Sequence, residues 1–383
     1  MKTRYFEMIE WSILQLVVSL FLILIYYFLC KNDNKKNIFQ KSDIIITLIL
    51  ILIAGLRCNS GSDYYNYYFQ YINVLKWYDD LFSVLIARFQ NGYTFLAYLT
   101  NKFIGGQATI FIVVAIIIYF PLLRIMRKYS KSSWQSFALW LLLGYFSMSM
   151  NIIKQYLAMI FVIGSFNSYY KKKYFKYIIF SIIACFFHIS AIYSLLCIPF
   201  SKTIRKPRKL YNFTLLASII SFFMFRTIIL KIGIFIIPAK YYTYIHSWMV
   251  GDLDLKLRLG GISVTLFYIF IINLSIKKVK YLNKYYRMIL NLSICMLPFL
   301  VFSIQMYILN RISYFGLQML IIILPSILDQ YKRRINKIFF VFILILYSLL
   351  FSILCAENNY YNYDTIFNSN PMSVREYVQK SLK

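Results

Sequence analysis

The chain has 383 residues, of which 61% are hydrophobic and 14% are charged. A soluble domain is typically about 45–50% apolar and about 25% charged, so the composition excludes an ordinary soluble protein and indicates an integral membrane protein. The net charge of +29 does not indicate nucleic-acid binding, because most of the Lys and Arg residues lie in six short segments between apolar runs. These segments are 31–41, 124–131, 171–176, 202–209, 277–287 and 332–337.

The apolar runs between these segments predict the membrane crossings. The positive-inside rule places all six basic segments in the cytoplasm, and a helix needs roughly 20 residues to cross about 30 Å of hydrocarbon. The first run is too long for the apolar part of a signal peptide and lacks a small-residue cleavage site, so it predicts a retained span. The second run leads outward and leaves Arg57 on the outer side. The runs are 8–29, 44–56, 108–123, 134–150, 156–170, 177–200, 211–230, 262–276, 288–309, 312–328 and 338–356.

Two apolar segments do not fit a simple span. Segment 81–104 is interrupted by Arg88, Asn91, Asn101 and Lys102, which predicts an external amphipathic or re-entrant element. Segment 177–200 lies between two cytoplasmic basic segments and therefore crosses an even number of times, although its helix would be only about 36 Å long. We expect a re-entrant hairpin or two short half-helices with His188 at the apex, lining a cavity that opens to the outside.

Together these runs predict an all-α polytopic membrane protein. Counting the hairpin as two gives about twelve crossings with both termini outside. We expect one multi-span domain over residues 1–383, with external loops 57–107 and 231–261 and an external C-terminal tail 357–383. The six cysteines lack CxxC spacing, so neither a disulfide framework nor a zinc site is predicted. No cofactor is expected. No inverted repeat of the transporter kind is visible.

The most distinctive polar stretch is GLRCNSGSDYYNYY at residues 55–68, directly after the second apolar run. It places Arg57, Gly61, Asp63 and Tyr64 together at the outer end of a predicted span. Ionisable groups at headgroup depth are costly without partners, so a cluster of them predicts an outer pocket for a polar, anionic substrate. Other candidates predicted on the same side are Lys154, Gln155, His188, Arg258 and Arg311.

Short motifs at 57–64, 151–155, 184–190 and 310–315 resemble, in order and spacing, those of the EpsG family of polysaccharide-assembly proteins. That family has Arg-x-x-x-Gly-x-Asp-Tyr after its second span, then Asn-x-x-Arg-Gln, Ala-x-x-x-His-x-Ser and a late Arg followed by Tyr-Phe. Lys154 stands where the family has arginine, which keeps the charge but loses bidentate recognition. Segment 90–93 has no acid where the family often has Glu, so it does not supply that carboxylate.

The resemblance implies a Wzy-like polymerase with a GT-C-like architecture at the outer face of the bacterial cytoplasmic (inner) membrane. It would be a metal-independent glycosyltransferase that joins oligosaccharide repeat units carried on undecaprenyl diphosphate. The product would be a surface polysaccharide, such as O-antigen, capsule or exopolysaccharide. The implied partners are this lipid-linked oligosaccharide and membrane lipids, together with a flippase and a chain-length regulator. No nucleic-acid partner is expected.

The chemistry of such a transfer assigns roles to the candidate residues. A hydroxyl of one unit attacks the anomeric carbon that bears the diphosphate, so the site must stabilise the departing diphosphate and deprotonate or orient an alcohol. Asp63 and His188 are the predicted catalytic residues for the second task. Cationic and polar side chains would bind the diphosphate or the sugar. These are Arg57, Tyr64, Lys154, Gln155, Arg258 and Arg311.

Each assignment has a structural alternative. Arg57 and Asp63 could form an ion pair that pins the outer loop, and His188 could be a hydrogen-bonded core histidine. Lys154 could extend to the lipid headgroups, and Arg311 could be an interfacial anchor. Among functions, a polysaccharide ligase or O-acyltransferase is the enzymatic alternative. A transporter of lipid-linked oligosaccharide is the non-enzymatic one, and it would need polar residues at the bilayer midplane and an inverted repeat.

Overall fold

Helices make up nearly all of the structure, a computed structural model that describes residues 2–31, 33, 40–61, 63–87, 91–228, 255–278, 282–306, 309–331, 334–356, 364–369 and 371. The predicted all-α class is confirmed for these residues. The chain divides into two compact units. The first contains Met1–Gly164, Ile179–Ile189 and Tyr331–Lys383, and the second contains Ser165–Ile178 and Ser190–Gln330.

The described elements follow one another along the chain with short connections. The helices are α1 (Lys2–Lys31), α2 (Lys41–Gly55), α3 (Tyr64–Trp77), α4 (Leu81–Ala87), α5 (Gly92–Phe103), α6 (Thr109–Tyr129), α7 (Ser133–Leu142), α8 (Tyr145–Asn151), α9 (Ile153–Tyr170), α10 (Tyr174–Phe187), α11 (Ala191–Thr203), α12 (Pro207–Ile228), α13 (Leu255–Lys277), α14 (Lys284–Cys295), α15 (Leu297–Phe302), α16 (Asn310–Leu317), α17 (Leu320–Asp329) and α18 (Arg334–Ala356). Two short strands, β1 (Arg57–Cys58) and β2 (Asp364–Thr365), pair antiparallel.

In the first unit, α2 and α6 pack side by side. Buried residues of α2 recur at Ile46, Leu50 and Ala54, which is the spacing of one helix face. At the C-terminal end of α2, a Cβ added to Gly55 would come within 2.7 Å of the Ile112 side chain. The absence of a side chain at Gly55 therefore allows the end of α2 to lie close to the start of α6.

The other end of the α2–α6 pair carries a buried charge cluster. Arg127, near the end of α6, donates to Asp33 at 2.7 Å and to Asp43 at 2.8 Å, and the three side chains are at most 16% exposed. The Tyr26 hydroxyl donates to Asp43, and the Ser42 hydroxyl donates to Asp33, both at 2.5 Å. Arg127 belongs to the basic segment 124–131, which also served to predict the topology. Its side chain therefore links α1, α2 and α6.

In the second unit, α14 packs against α11, α12, α13, α16 and α17, and most of its residues are buried. Asn291 donates from Nδ2 to the carbonyls of Ser201 at 2.8 Å and Ile204 at 3.0 Å, where α11 ends. The Ser293 hydroxyl lies 3.0 Å from the Gly316 carbonyl of α16. Polar side chains of α14 thus meet carbonyls of the helices packed against it, which include the free carbonyls at a helix end.

Four described segments are long and apolar enough to cross a membrane, namely Ile13–Lys31, Thr109–Tyr129, Leu259–Lys277 and Lys284–Phe302. Two bent helix pairs raise the number to six if each pair counts as one span. These are α8 with α9, bent by 118°, and α16 with α17, bent by 50°. The apolar helices support the predicted membrane class, whereas the predicted count of about twelve crossings stays a prediction.

The predicted span 134–150 is not one helix. Gly144 separates α7 from α8 and adopts a left-handed φ of +76°. A Cβ at Gly144 would collide with the Phe351 ring of α18, so only glycine allows both this backbone conformation and the approach of α18. α8 then ends at Asn151, and the chain bends at Ile152 into α9. This bend lies between the two apolar runs 134–150 and 156–170.

The two irregular apolar segments form short helices. Segment 177–200 breaks between α10 and α11 at residues 188–190, as predicted. Segment 81–104 forms α4 and α5, which have 7 and 12 residues and are each too short to cross about 30 Å of hydrocarbon. The predicted external loop 231–261 lies outside the described residues up to position 254, and from Leu255 it belongs to α13.

Candidate functional site

Residues 56–61 and 63, here called the site turn, link α2 to α3 and carry most of the first motif. After Arg57 and Cys58 form β1, Asn59 adopts a φ of 49° and Gly61 a φ of +94°. Glycine tolerates positive φ, and asparagine does so more readily than most other residues. The turn ends at Asp63, which precedes α3, where the positive end of the helix dipole favours a carboxylate.

The Arg57 side chain is 2% exposed. Its Nη1 donates to the Ala54 carbonyl in the last turn of α2, and its Nη2 donates to the Met150 carbonyl in the last turn of α8 at 2.9 Å. Its guanidinium lies over the Phe111 ring, 4.6 Å from the centroid. A cation at a helix C-terminus meets free carbonyls and the negative end of the dipole. Arg57 therefore joins the ends of two helices and holds a positive charge beside the site turn.

The second motif meets the first at Asn151. This residue ends α8, is 1% exposed and donates from Nδ2 to the Ser147 carbonyl at 3.1 Å. Its Oδ1 lies so close to Gly61 that a Cβ built on Gly61 would collide with it. Glycine is thus required at position 61 for two reasons, the positive φ and the approach of Asn151. The structure brings the two motifs into direct contact.

Lys154 lies in the first turn of α9 and contacts two tyrosines. Its ammonium is 5.9 Å from the centroid of the Tyr67 ring and 5.6 Å from that of the Tyr93 ring. The Tyr93 hydroxyl donates to the Tyr67 carbonyl at 2.8 Å, and the two rings meet edge to face. Ring faces attract cations, so these tyrosines hold the half-buried ammonium in position. Gln155, the next residue, is buried.

His188 lies in the break between α10 and α11 and is half-buried. The backbone N–H of His188 donates to the Ala184 carbonyl at 2.9 Å, and this bond closes the last turn of α10. The preceding residue, Phe187, packs so closely on Gly92 that a Cβ at Gly92 would come within 3.0 Å of the Phe187 Cα. Because Gly92 precedes Tyr93, this packing brings the third motif to the same helix, α5, that contacts Lys154.

Two tyrosines of this region, Tyr64 and Tyr93, are buried. The Tyr64 ring stacks on Phe111 at 4.7 Å, so Phe111 contacts both Tyr64 and Arg57. Burial raises the pKa of the Tyr64 hydroxyl and the pKa of the Tyr93 hydroxyl above the ordinary value. An ordinary tyrosine is already protonated at neutral pH, so the shift does not change the charge of either hydroxyl there. Tyr64, predicted to bind substrate, is buried in the structure and supports the site turn through its ring.

The structure adds a contact that the sequence does not signal. β2 pairs with β1, and the Ile366 N–H donates to the Leu56 carbonyl at 3.0 Å. The Ser60 hydroxyl donates to the Cys58 carbonyl at 2.9 Å and accepts the Asp364 N–H at 3.0 Å. The described part of the predicted external tail is thus attached to the site turn. A strand of two residues has no periodicity that sequence analysis could detect.

The last motif folds within the second unit. Arg311 is the second residue of α16 and is half-buried. Its neighbour Asn310 donates from Nδ2 to the Tyr314 hydroxyl at 2.7 Å, and the Ser313 hydroxyl donates to the Asn310 carbonyl at 2.7 Å. Arg258 lies in α13, with its side chain outside the described residues. A contact of Arg258 or Arg311 with the substrate stays a prediction.

Fold and site together define a class, a helical membrane protein whose first two polar motifs meet at a turn after an apolar helix. A family model described as the EpsG family matches residues 40–365. The chain therefore belongs to the EpsG family, as its motifs predict. The match includes all four motifs and ends in β2. Comparison with curated proteins and with solved structures gives no match.

Proposed function

We propose that this protein joins lipid-linked oligosaccharide repeat units into a surface polysaccharide. Membership of the EpsG family supports a membrane-bound polymerase of polysaccharide. The observation that carries the proposal is the contact between the first two motifs, in which Arg57 reaches the Met150 carbonyl and Gly61 lies against Asn151. The contact holds Arg57 and Lys154, two of the cations assigned to the departing diphosphate, in the first unit.

Packing of α5 supports the inclusion of His188 in the same site. Gly92 lies against Phe187, the residue before His188, and Tyr93 contacts Lys154. The Lys154 ammonium and the residue before His188 therefore contact adjacent positions of one helix. Glycosyl transfer needs both kinds of group, a cation for the leaving diphosphate and a proton acceptor for the attacking hydroxyl.

In the proposed reaction, a sugar hydroxyl oxygen attacks the anomeric carbon of a second repeat unit. A bond forms between these two atoms, and the bond from that carbon to the diphosphate oxygen breaks. The hydroxyl proton passes to Asp63 or His188, and the diphosphate departs with its lipid. Lys154 stabilises the negative charge on the diphosphate, and Arg57 contributes a fixed positive charge. The carrier is proposed to be undecaprenyl diphosphate.

The proposal places the site at the outer face of the bacterial inner membrane, in a GT-C-like chain of about twelve crossings. Asn66 of α3 and Lys176 of α10 are both exposed and are predicted on opposite sides of the membrane. A cysteine at position 66 is expected to react with a membrane-impermeant thiol reagent in intact cells. A cysteine at position 176 is expected to react only after lysis. The reverse pattern would contradict the proposed orientation.

The length distribution of surface polysaccharide tests the proposed activity. Cells that lack the protein are complemented with the wild type, Asp63→Asn or the matched control Asp79→Asn, which alters an exposed aspartate between α3 and α4. We expect long chains with the wild type and the control, and single exported repeat units with Asp63→Asn. Normal lengths with altered attachment or acylation would indicate a ligase or acyltransferase. Repeat units retained on the cytoplasmic side would indicate a transporter.

Substitutions of Lys154 test the role of the cation in the same cells. Lys154→Arg keeps a positive charge against Tyr67 and Tyr93, so we expect long chains to remain. Lys154→Met keeps an unbranched side chain but removes the charge, so we expect the long chains to be lost. Long chains with the methionine variant would remove Lys154 from the proposed site.

A further inference from the structure

Segment 364–366 contacts the site turn through groups that the proposed chemistry does not use. Its N–H groups donate to the Leu56 carbonyl and to the Ser60 hydroxyl, both at 3.0 Å. Between these two points β2 pairs with β1. The site turn is therefore held at three successive places by a segment about 300 residues further along the chain.

These contacts act on a turn with an unusual backbone. Asn59 and Gly61 both have positive φ values, and a turn with glycine has several accessible conformations. Hydrogen bonds to Leu56 and Ser60 restrict those conformations from one side, while Asn151 fills the space beside Gly61. Because the bonds from β2 involve backbone groups, they do not depend on the side chain at position 364.

We propose that β2 and Ser60 position the site turn, so that Asp63 is presented in the conformation that glycosyl transfer requires. Ser60 is a positioning residue in this scheme, because it acts through the turn and not on the substrate. The family match extends to Thr365 and so includes β2. This inference rests on the proposed polymerase function for its activity measurement, and a second measurement is independent of that function.

The activity measurement uses pairs of variants in the complemented cells. Asp364→Pro removes the N–H that donates to Ser60, whereas Asp364→Ala keeps it and removes only the exposed carboxylate. Ser60→Ala removes the bridging hydroxyl, whereas Ser60→Thr keeps it. We expect Asp364→Pro and Ser60→Ala to lower the yield of long chains about tenfold, the effect of losing one well-formed hydrogen bond. Ser60→Thr and Asp364→Ala are expected to match the wild type.

Cys58 provides the independent measurement, because its thiol is buried and lies in β1 opposite Asp364. In a full-length chain whose other cysteines are replaced by serine, Cys58 is expected to react slowly with a thiol reagent. Release of β2 increases the fraction of time the turn is open, so Asp364→Pro and Ser60→Ala are expected to raise the reaction rate about tenfold. Asp364→Ala and Ser60→Thr are expected to leave the rate unchanged.

The two measurements separate the possible failures. An unchanged Cys58 rate in both Asp364→Pro and Ser60→Ala would overturn the proposal, because β2 would then not hold the turn. Faster Cys58 labelling with a normal yield of long chains would overturn the positioning role. Absence of any difference between the wild-type complement and the empty cells would overturn the proposed function instead, and labelling would still decide whether β2 holds the turn.

Discussion

Each end of the α2–α6 pair holds a buried or nearly buried arginine, and the two ends do so in different ways. At one end Arg127 meets the carboxylates of Asp33 and Asp43. At the other end Arg57 donates to the carbonyls of Ala54 and Met150. Carboxylates are supplied by side chains, whereas carbonyls are supplied by the backbone. The first cluster therefore depends on residue identity, and the second depends on where two helices end.

This difference separates a stabilising cluster from the proposed functional site. Opposite charges neutralise Arg127 where α1, α2 and α6 meet, and none of the four motifs lies there. Helix ends orient Arg57 by partial charges, in the same turn that carries Gly61 and Asp63. We expect substitutions at the Arg127 end to change mainly stability, and substitutions at the Arg57 end to change stability and polysaccharide length together.

The largest loss of stability is expected for Arg127→Met. Removal of the guanidinium leaves two nearly buried carboxylates close together without their cation, and breaking such a pair costs about 3–5 kcal/mol. Thermal unfolding in detergent measures the loss. The control is Arg124→Met, which alters an exposed arginine one turn earlier in α6 and should change stability little. Equal unfolding temperatures for the two variants would contradict the assignment of a stabilising cluster.

Gly61→Ala is expected to cost about 2–3 kcal/mol and to shorten the polysaccharide. The new Cβ meets an unfavourable positive φ, worth about 1–2 kcal/mol, and it also collides with Asn151. Gly105→Ala is the matched control, because Gly105 has a φ of +70° but its nearest neighbour would be 3.9 Å away. If both variants lose the same stability, the contact with Asn151 contributes nothing.

Arg57→Lys keeps the charge but cannot reach both carbonyls with one ammonium, so we expect a loss of about 2 kcal/mol. Long polysaccharide should also decrease, because the ends of α2 and α8 are no longer joined beside the site turn. Arg208→Lys serves as control, since Arg208 is exposed and has a single described acceptor, Asn273. Full stability and normal chain length for Arg57→Lys would show that charge alone matters at position 57.

The smallest loss of stability is expected for Tyr26→Phe. It removes the hydroxyl that donates to Asp43 at 2.5 Å, but Arg127 still satisfies that carboxylate, so the cost should be about 1 kcal/mol. The adjacent Tyr27 is exposed, and Tyr27→Phe should have no measurable effect on unfolding. Polysaccharide length should stay normal for both variants. A shortened polymer for Tyr26→Phe would remove the distinction between the two ends.

Much of the local structure follows from the sequence. The turn after α2, the break at His188 and the bend after Asn151 all coincide with places where polar residues interrupt an apolar run. The run 134–150 forms two helices and not one, because Gly144 adopts a left-handed conformation between them and its lack of a side chain leaves room for the Phe351 ring. A glycine within an apolar run does not by itself distinguish a continuous helix from a broken one.

The sequence by itself determined the helical membrane class, the order of the apolar runs and the four family motifs, because the bilayer selects apolar runs that are local in the chain. Only the tertiary structure decided that Arg57 is enclosed by two helix ends, that Lys154 lies against Tyr67 and Tyr93, and that β2 pairs beside the site turn. These contacts join distant residues through backbone groups and ring faces. Because every residue carries a backbone and tyrosines are abundant in this chain, neither residue type nor spacing identifies such partners in advance.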